Sequence, residues 1–210
     1  MSVRIGDDAP NFTADTTQGR IDFHVWKGSS WAILFSHPRD FTPVCTTELG
    51  TVARLMPEFA RRNTKVIGLS VDPVDSHHAW ERDIGDVMGT AVNFPMIADP
   101  DRAVSTLYDM IHPNASDTAT VRSVFIIGPD NKVKLSLTYP ASVGRNFDEV
   151  LRALDALQLS ARFPVATPAN WRPGQDVIVA LSMSTEEARA KFGPGVTEVK
   201  SYLRTMPQPK

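Results

Sequence analysis

The chain has one cysteine, Cys45, in 210 residues. That scarcity excludes an internal disulfide and any metal site built from several cysteines, and it points to a reducing, cytoplasmic setting. Neither sign of charge dominates: 22 Lys and Arg stand against 24 Asp and Glu, a net charge of −2. Such a balance gives no electrostatic grip on nucleic acid or acidic lipid. Nowhere do about 18 apolar residues follow one another, so no membrane span is expected. The opening Met1-Ser2-Val3-Arg4-Ile5-Gly6-Asp7-Asp8 has no apolar run of the kind a signal peptide needs. Internal repeats and low-complexity tracts are absent too. What is present, 42% apolar and 22% charged residues, is the balance of a soluble globular protein, long enough for one full domain plus an extension. The basic stretch Arg61-Arg62-Asn63-Thr64-Lys65 reads as a solvated helix end.

Short apolar runs at residues 31–36 (WAILFS), 65–71 (KVIGLSV) and 123–127 (SVFII) read as buried strands. Residues 132–138 (KVKLSLT) alternate as a strand with one exposed face does. Gly128-Pro129-Asp130-Asn131 between the last two predicts the turn of an antiparallel hairpin. After Cys45, apolar residues recur at helical spacing: Leu49, Val52, Ala53, Met56 and Phe59. Further helices are expected over 76–84, 103–109 and 147–157. Strand, helix, strand, then hairpin and helix predict an α/β fold for residues 1–160, a mixed sheet flanked by helices. Over 161–210 prolines cluster around one short strand at 176–181 and one short helix at 186–192. About 50 residues bury too little surface to fold alone. This small C-terminal extension, with Trp171, Phe192 and Tyr202 to bury, is expected to pack on the main domain or across on a second subunit.

Cys45 lies between a strand and a helix, in His37-Pro38-Arg39-Asp40-Phe41-Thr42-Pro43-Val44-Cys45-Thr46-Thr47-Glu48. Thr42 suits the N-cap and Pro43 the first helical position, which puts Cys45 in the first turn. Unpaired backbone amides and the helix dipole favour an anion there, so the thiol is expected to ionise more readily than a free one. Glu48, three residues on, suits an anchor for nearby cationic groups of the same helix. A lone cysteine is also commonly an inert core residue, and position alone leaves both readings open.

The surrounding residues narrow the choice. Pro38-x-x-x-Thr42-x-x-Cys45 resembles the active-site signature of the peroxiredoxins, and SHPRDFTPVCTTELG is similar to that of the 1-Cys subfamily in particular. The resemblance continues at Gly6-Asp7-Asp8-Ala9-Pro10-Asn11-Phe12, at Ser70-Val71-Asp72 followed by His78-Ala79-Trp80, and at Phe94-Pro95 with Asp99. Arg122 before a strand, Tyr139-Pro140 through Gly144-Arg145-Asn146-Phe147-Asp148, and Ala166-Thr167-Pro168-Ala169-Asn170-Trp171 extend it over nearly the whole chain. It implies a thioredoxin-like fold and a thiol-dependent peroxidase acting on hydrogen peroxide and organic hydroperoxides. By the same resemblance Cys45 is the peroxidatic thiolate, Thr42 holds the peroxide with its hydroxyl, Pro38 shields the thiol from water, and Arg122 faces both sulfur and substrate. Arg145 matches a family position near the active centre. His37, directly before Pro38, is placed to orient groups or to sense pH, with packing as an equal alternative. A homodimer, or a higher ring, is implied as well.

Attack on a hydroperoxide leaves a sulfenic acid. With no second cysteine, the reductant has to come from outside, as glutathione, thioredoxin or a similar thiol, and no resident cofactor is expected. Acidity alone adds little rate. Lowering a thiol pKa from about 8.5 to about 6 raises the thiolate fraction at neutral pH roughly 30-fold. The same change reduces nucleophilicity roughly 10-fold. Rate is therefore expected to depend more on donors aimed at the peroxide oxygens, Arg122 and Thr42, than on acidity.

Other readings are weaker. Disulfide exchange of thioredoxin type wants Cys-x-x-Cys, and a non-enzymatic redox-sensing or chaperone-like role would leave peroxide chemistry incidental. Some 1-Cys peroxiredoxins carry a phospholipase activity attributed to Gly-x-Ser-x-Gly with a His and an Asp. Here the stretch is Gly28-Ser29-Ser30-Trp31-Ala32, with His24 and Asp130 matching by type. Ala32 replaces the last glycine, and Ser30 precedes a strand where a nucleophile elbow needs a strand-to-helix turn. A plain turn is expected. His77-His78 reads as a solvated pair, since adjacent helix residues point apart and no carboxylate has ligand spacing.

Overall fold

All six residues of WAILFS are buried, as a run apolar on both faces must be when it forms a central strand. The computed structural model describes residues 3–210, and Met1 and Ser2 of the opening stretch lie outside the described residues. Two compact units divide the chain, residues up to Phe147 and Asp148–Lys210.

The first unit opens with a hairpin, β1 (Thr13–Thr16) and β2 (Gly19–Asp22), and a short helix α1 (Phe23–Lys27) capped by the Asp22 side chain. Next come β3 (Trp31–Ser36), α2 (Pro43–Arg61), β4 (Thr64–Ser70), α3 (Val74–Met88) and β5 (Met96–Ala98). The helical crossovers let β3, β4 and β5 run parallel. After α4 (Ala103–Leu107) the expected antiparallel hairpin joins β6 (Arg122–Ile127) to β7 (Val133–Tyr139). Among the described residues these strands form one mixed sheet in the order β2-β1-β5-β4-β3-β6-β7. β6 lies antiparallel to β3 with Val124 opposite Phe35, so the end of β3 meets the start of β6. That corner carries the candidate site.

The core beside it includes Phe23, Leu34, Ile67, Leu69, Ile97, Tyr108 and Phe125. Burying each such side chain contributes about 1.5–3 kcal/mol. The N-terminal hairpin and β5 were not expected from the sequence. TADT and GRID are short and half polar, and β5 has only three residues, so periodicity has little to act on. The stretch read as a solvated helix end divides instead: α2 closes at Arg61, while Thr64 and Lys65 already belong to β4.

The second unit contains nearly all of α5 (Phe147–Arg162), then β8 (Val165–Ala166), β9 (Val177–Val179), α6 (Thr185–Phe192), β10 (Thr197–Lys200) and β11 (Leu203–Met206). Its strands form an antiparallel sheet in the order β10-β11-β9-β8. Trp171 is buried among Leu159, Val165, Val177, Val179 and Met206. A reciprocal cap between Ser184 and Glu187 starts α6. Tyr202, expected to need burial, is 67% exposed. Among the described residues no helix is long and apolar enough to cross a membrane.

α2 and α3 approach through a missing side chain. A Cβ on Gly50 would sit 2.5 Å from Met88 Cγ and 2.6 Å from Met88 Cβ. Gly50→Ala is therefore expected to cost about 1–3 kcal/mol by overpacking, more than the ~1 kcal/mol that alanine gains in a helix interior. Trimming Met88 to alanine should restore only part of the loss, because its Cβ stays in place. Urea denaturation of the single and double variants measures both effects.

Candidate active site

The loop from β3 to α2 turns sharply at Phe41, whose φ of 54° is left-handed, a conformation that costs a residue with a Cβ about 1–3 kcal/mol. Thr42 follows as the N-cap and Pro43 takes the first helical turn, as the sequence predicts. The Thr42 side chain makes no capping bond. Its hydroxyl donates instead to the Arg39 carbonyl at 3.0 Å, so its oxygen keeps free acceptor capacity. Cys45 lies one turn in, with 0% of its surface exposed.

Arg122, first residue of β6, points its guanidinium at the thiol. Nη1 donates to Cys45 Sγ at 3.2 Å and to Glu48 Oε2 at 2.7 Å. Nε and Nη2 both donate to the Ala141 carbonyl, at 3.0 and 2.6 Å. Glu48, one turn beyond Cys45 on α2, also accepts from Arg145 through Nε (2.9 Å), Nη2 (2.7 Å) and the backbone N (2.7 Å). Arg145 Nη1 donates to the carbonyls of Ser36 at 2.7 Å and Ser123 at 2.9 Å, at the corner of β3 and β6. The Arg145 guanidinium also lies over the rings of Phe35 and Phe147, at 5.1 and 5.5 Å.

All three charged groups are buried. Burial pushes the Glu48 carboxyl up, but the hydrogen bonds and charge of Arg145 outweigh it and hold it below its ordinary value. Burial pulls Arg145 down against the opposing pull of Glu48. One carboxylate between two guanidiniums leaves a residual positive charge beside Sγ. The structure thus brings Cys45, Glu48, Arg122 and Arg145 together. Pro38 and Thr42 are half-buried on the loop leading into α2, and the Thr42 hydroxyl is turned to Arg39 rather than to the cluster.

His37, just past β3, is buried, with Nε2 at 2.9 Å from Asp40 Oδ1 and its ring 5.2 Å from that of Trp80. Asp40 Oδ2 accepts from His77 Nδ1 and from Ser76 Oγ, both at 2.7 Å. Two of these residues were missed from sequence. Asp40 carried no role, and the pair reading of His77-His78 is corrected: His77 is fully buried, while exposed His78 pairs with Glu81 at 3.2 Å. His77, Trp80 and Ile84 form the buried face of α3, at the three- and four-residue spacing that marks such a face. That spacing was the available signal. Among the described residues His37, Asp40 and His77 are the group able to hold a metal, with ligand atoms within 4.8 Å of one another. The facing atoms already hydrogen-bond to one another.

Phe41, Thr42, Pro43, Thr46, Trp80 and Val87 line a mostly apolar groove of about 430 Å³ beside the start of α2. The residues of the phospholipase alternative are not assembled. Ser30 Oγ donates to Asn63 Oδ1 at 3.0 Å, His24 Nε2 to the Ala9 carbonyl at 2.8 Å, and Asp130 accepts from Lys134 at 2.6 Å.

Residues 5–136 match the family model "AhpC/TSA family", and residues 156–195 match "C-terminal domain of 1-Cys peroxiredoxin". A 1-Cys peroxiredoxin of Dictyostelium discoideum is 50% identical over 207 residues, covering 99% of this chain and 86% of the relative. Peroxiredoxin-6 of Rattus norvegicus is 53% identical over 218 residues, covering 98% and 97%. The solved yeast mitochondrial 1-Cys peroxiredoxin superposes with a TM-score of 0.92 at 52% identity, over 98% of this chain and 99% of its own. Its thiol is resolved via glutathione/thioredoxin systems. A cysteine-to-serine mutant of the peroxiredoxin 6 of Arenicola marina gives 0.93 at 47% identity over the whole of both chains. Fold and site are those of a thiol enzyme on a thioredoxin-like sheet. The chain belongs to the AhpC/TSA family and, within it, to the 1-Cys peroxiredoxins.

Because Glu48 ionises more readily when folded, its stabilisation is complete above the unfolded-state value of about 4.3 and is lost as pH falls through the lower folded-state value. Glu48→Gln is expected to cost about 3–5 kcal/mol at neutral pH, since it leaves two buried guanidiniums uncompensated. The gap should close as the medium is acidified, where the native carboxyl is itself protonated. Guanidinium chloride denaturation at several pH values checks both the size and the slope.

Proposed function

We propose that this chain is a thiol-dependent peroxidase in which Cys45 reduces hydrogen peroxide and organic hydroperoxides and is recycled by an external thiol. The observation that carries this reading is the 3.2 Å contact of Arg122 Nη1 with Sγ, within a buried cluster of net positive charge. The thiolate attacks the hydroxyl oxygen of ROOH. A sulfur–oxygen bond forms, the O–O bond breaks, and RO⁻ takes a proton from water to leave as ROH. Sulfur is oxidised by two electrons and becomes the sulfenic acid.

Arg122 touches Sγ and is placed to donate to an oxygen bound there as charge develops on it. The free acceptor capacity of Thr42 suits the peroxide hydroxyl, and Pro38 adds an apolar cover. Glu48 and Arg145 act as supports: one holds both guanidiniums, and the other ties the cluster to the strand ends. His37 is assigned to the same supporting set. The apolar groove accommodates the alkyl part of an organic hydroperoxide. Since Cys45 has no exposed surface, entry requires the groups that cover it to move.

An incoming thiol attacks the sulfenic sulfur and expels water, and a second thiol releases the mixed disulfide. Glutathione or thioredoxin fits this role, as in the yeast relative. Both electrons come from these thiols, so no resident cofactor is needed. Such reductant pools are cytoplasmic, and we assign the chain there. A homodimer, extendable to a ring, is supported by β7 at the edge of its sheet and by exposed Val199 and Tyr202 on the extension over 161–210.

Cys45→Ser is expected to abolish hydrogen peroxide consumption with dithiothreitol or glutathione while the far-UV spectrum stays unchanged; retained turnover would refute the assignment. Arg122→Ala should lower kcat/KM for peroxide by about 10²–10³, the cost of losing a donor to developing charge. The comparison is made at a pH where the thiol of each variant is fully ionised. A near wild-type rate there would return the weight of catalysis to thiol acidity.

A further inference from the structure

Asp40 is the centre of a buried cluster that the peroxide chemistry above does not use. His77 meets an oxygen at each ring nitrogen, Asp40 Oδ2 at 2.7 Å from Nδ1 and the Ile97 carbonyl at 3.1 Å from Nε2. A carbonyl oxygen only accepts, so Nε2 carries a proton. An ionised carboxylate only accepts, so Nδ1 carries another. His77 is then an imidazolium against a carboxylate. Asp40 receives three side-chain donors in this arrangement, His77, Ser76 Oγ at 2.7 Å and His37 Nε2 at 2.9 Å. The same rule settles His37. Its Nε2 holds the proton given to Asp40, and its Nδ1 is buried with no partner.

We propose that Asp40 and His77 are positioning residues, a buried ion pair that holds His37 as the neutral Nε2–H tautomer with Nδ1 left as a bare acceptor. The proposal takes its purpose from the peroxidase reading. A hydrogen bond at one imidazole nitrogen decides the state of the other.

The charged and titratable groups around the pair agree. Asp72, two residues past β4, accepts from the Asp40 backbone N at 2.9 Å and adds negative charge on the His77 side. Arg145 adds positive charge on the His37 side. Burial opposes charge on His77, but Asp40 raises it further than burial lowers it. On His37 burial prevails over Asp40 and keeps the ring neutral. Burial likewise opposes ionisation of Asp40, and the two histidines outweigh it. The cluster reaches the start of α2 through Trp80, which lies against the His37 ring and donates from Nε1 to Thr46 Oγ1 at 3.3 Å, one residue from Cys45. In this arrangement His37 orients groups, one of the roles that its position in the sequence allows.

The test is long-range ¹H–¹⁵N spectroscopy of the reduced full chain with all five histidines labelled, between about pH 5.5 and 8, the range in which an ordinary imidazole titrates. One ring is expected to stay doubly protonated throughout, and its signals should vanish in His77→Gln. A second should stay neutral with its proton on Nε2, and vanish in His37→Gln. In Asp40→Asn the first ring should become neutral and the second lose its single tautomer. Peroxide kcat/KM should then fall roughly ten- to a hundredfold, as misplaced supporting groups cost. A bare nitrogen on His77, a titrating His37, or added Zn²⁺ displacing these protons stoichiometrically would overturn the proposal. So would wild-type turnover in a folded Asp40→Asn. The spectra need no turnover, so their failure leaves the peroxidase reading standing, and failure of the Cys45→Ser test leaves the spectra interpretable.

Discussion

Glu48 is a carboxylate taken out of water and held between two guanidiniums, and the site's geometry follows from that choice. Removing such charges from solvent costs several kcal/mol per ion, and only close, hydrogen-bonded pairing offsets it. Glu48 accepts from Arg122 once and from Arg145 three times, and the spare guanidinium donors end on the carbonyls of Ser36, Ser123 and Ala141. The arrangement therefore locks the first turns of α2, the start of β6 and the loop after β7 into one unit. Its charge does not sum to zero. The surplus is positive and borders Sγ, so the pairing that stabilises the fold also sets the field at the thiol.

Topology makes this economical in residues. Because β6 runs antiparallel beside β3, the last carbonyl of one strand and the first residues of the other share a corner. Arg145 needs only to reach that corner to bond Ser36 and Ser123 together. A fully parallel sheet would place the start of the neighbouring strand at the opposite end. The helix that carries Cys45 leaves from the same corner, after a loop whose Phe41 is already strained. The rigid part of the site is thus the cation cluster and the first turns of α2.

Much of this was legible beforehand, for physical reasons that differ by residue. The buried strands announced themselves as continuous apolar runs, and α2 by its stripe from Leu49 to Phe59. Thr42 and Pro43 marked the helix start correctly, since backbone preferences are local. The Thr42 hydroxyl was not legible, because its choice of Arg39 over the helix amides depends on the turn at Phe41. Glu48 is an anchor for cations, but not for those of its own helix as its place one turn after Cys45 suggests: its partners Arg122 and Arg145 lie 74 and 97 residues away, beyond the reach of local spacing. His77 went wrong for a related reason. The carboxylate it meets, Asp40, is 37 residues away and shows in no local spacing, although His77, Trp80 and Ile84 trace one face of α3. A buried histidine is affordable when each nitrogen has an oxygen to meet, and Asp40 and Ile97 supply both.

The lone cysteine makes access the deciding step of the cycle. A thiol with no exposed surface is guarded from casual oxidants, yet both a hydroperoxide and then a reducing thiol must reach it. The first is small, and an apolar groove lies beside Thr42 and Pro43. The second is larger and must approach sulfur from the side opposite the bond it breaks. While the reductant waits, the sulfenate stays open to a second peroxide and to irreversible sulfinic acid. A resolving cysteine in the same chain would shorten that interval. Its absence means that access to the buried sulfur and reductant supply together determine how often Cys45 is lost to overoxidation.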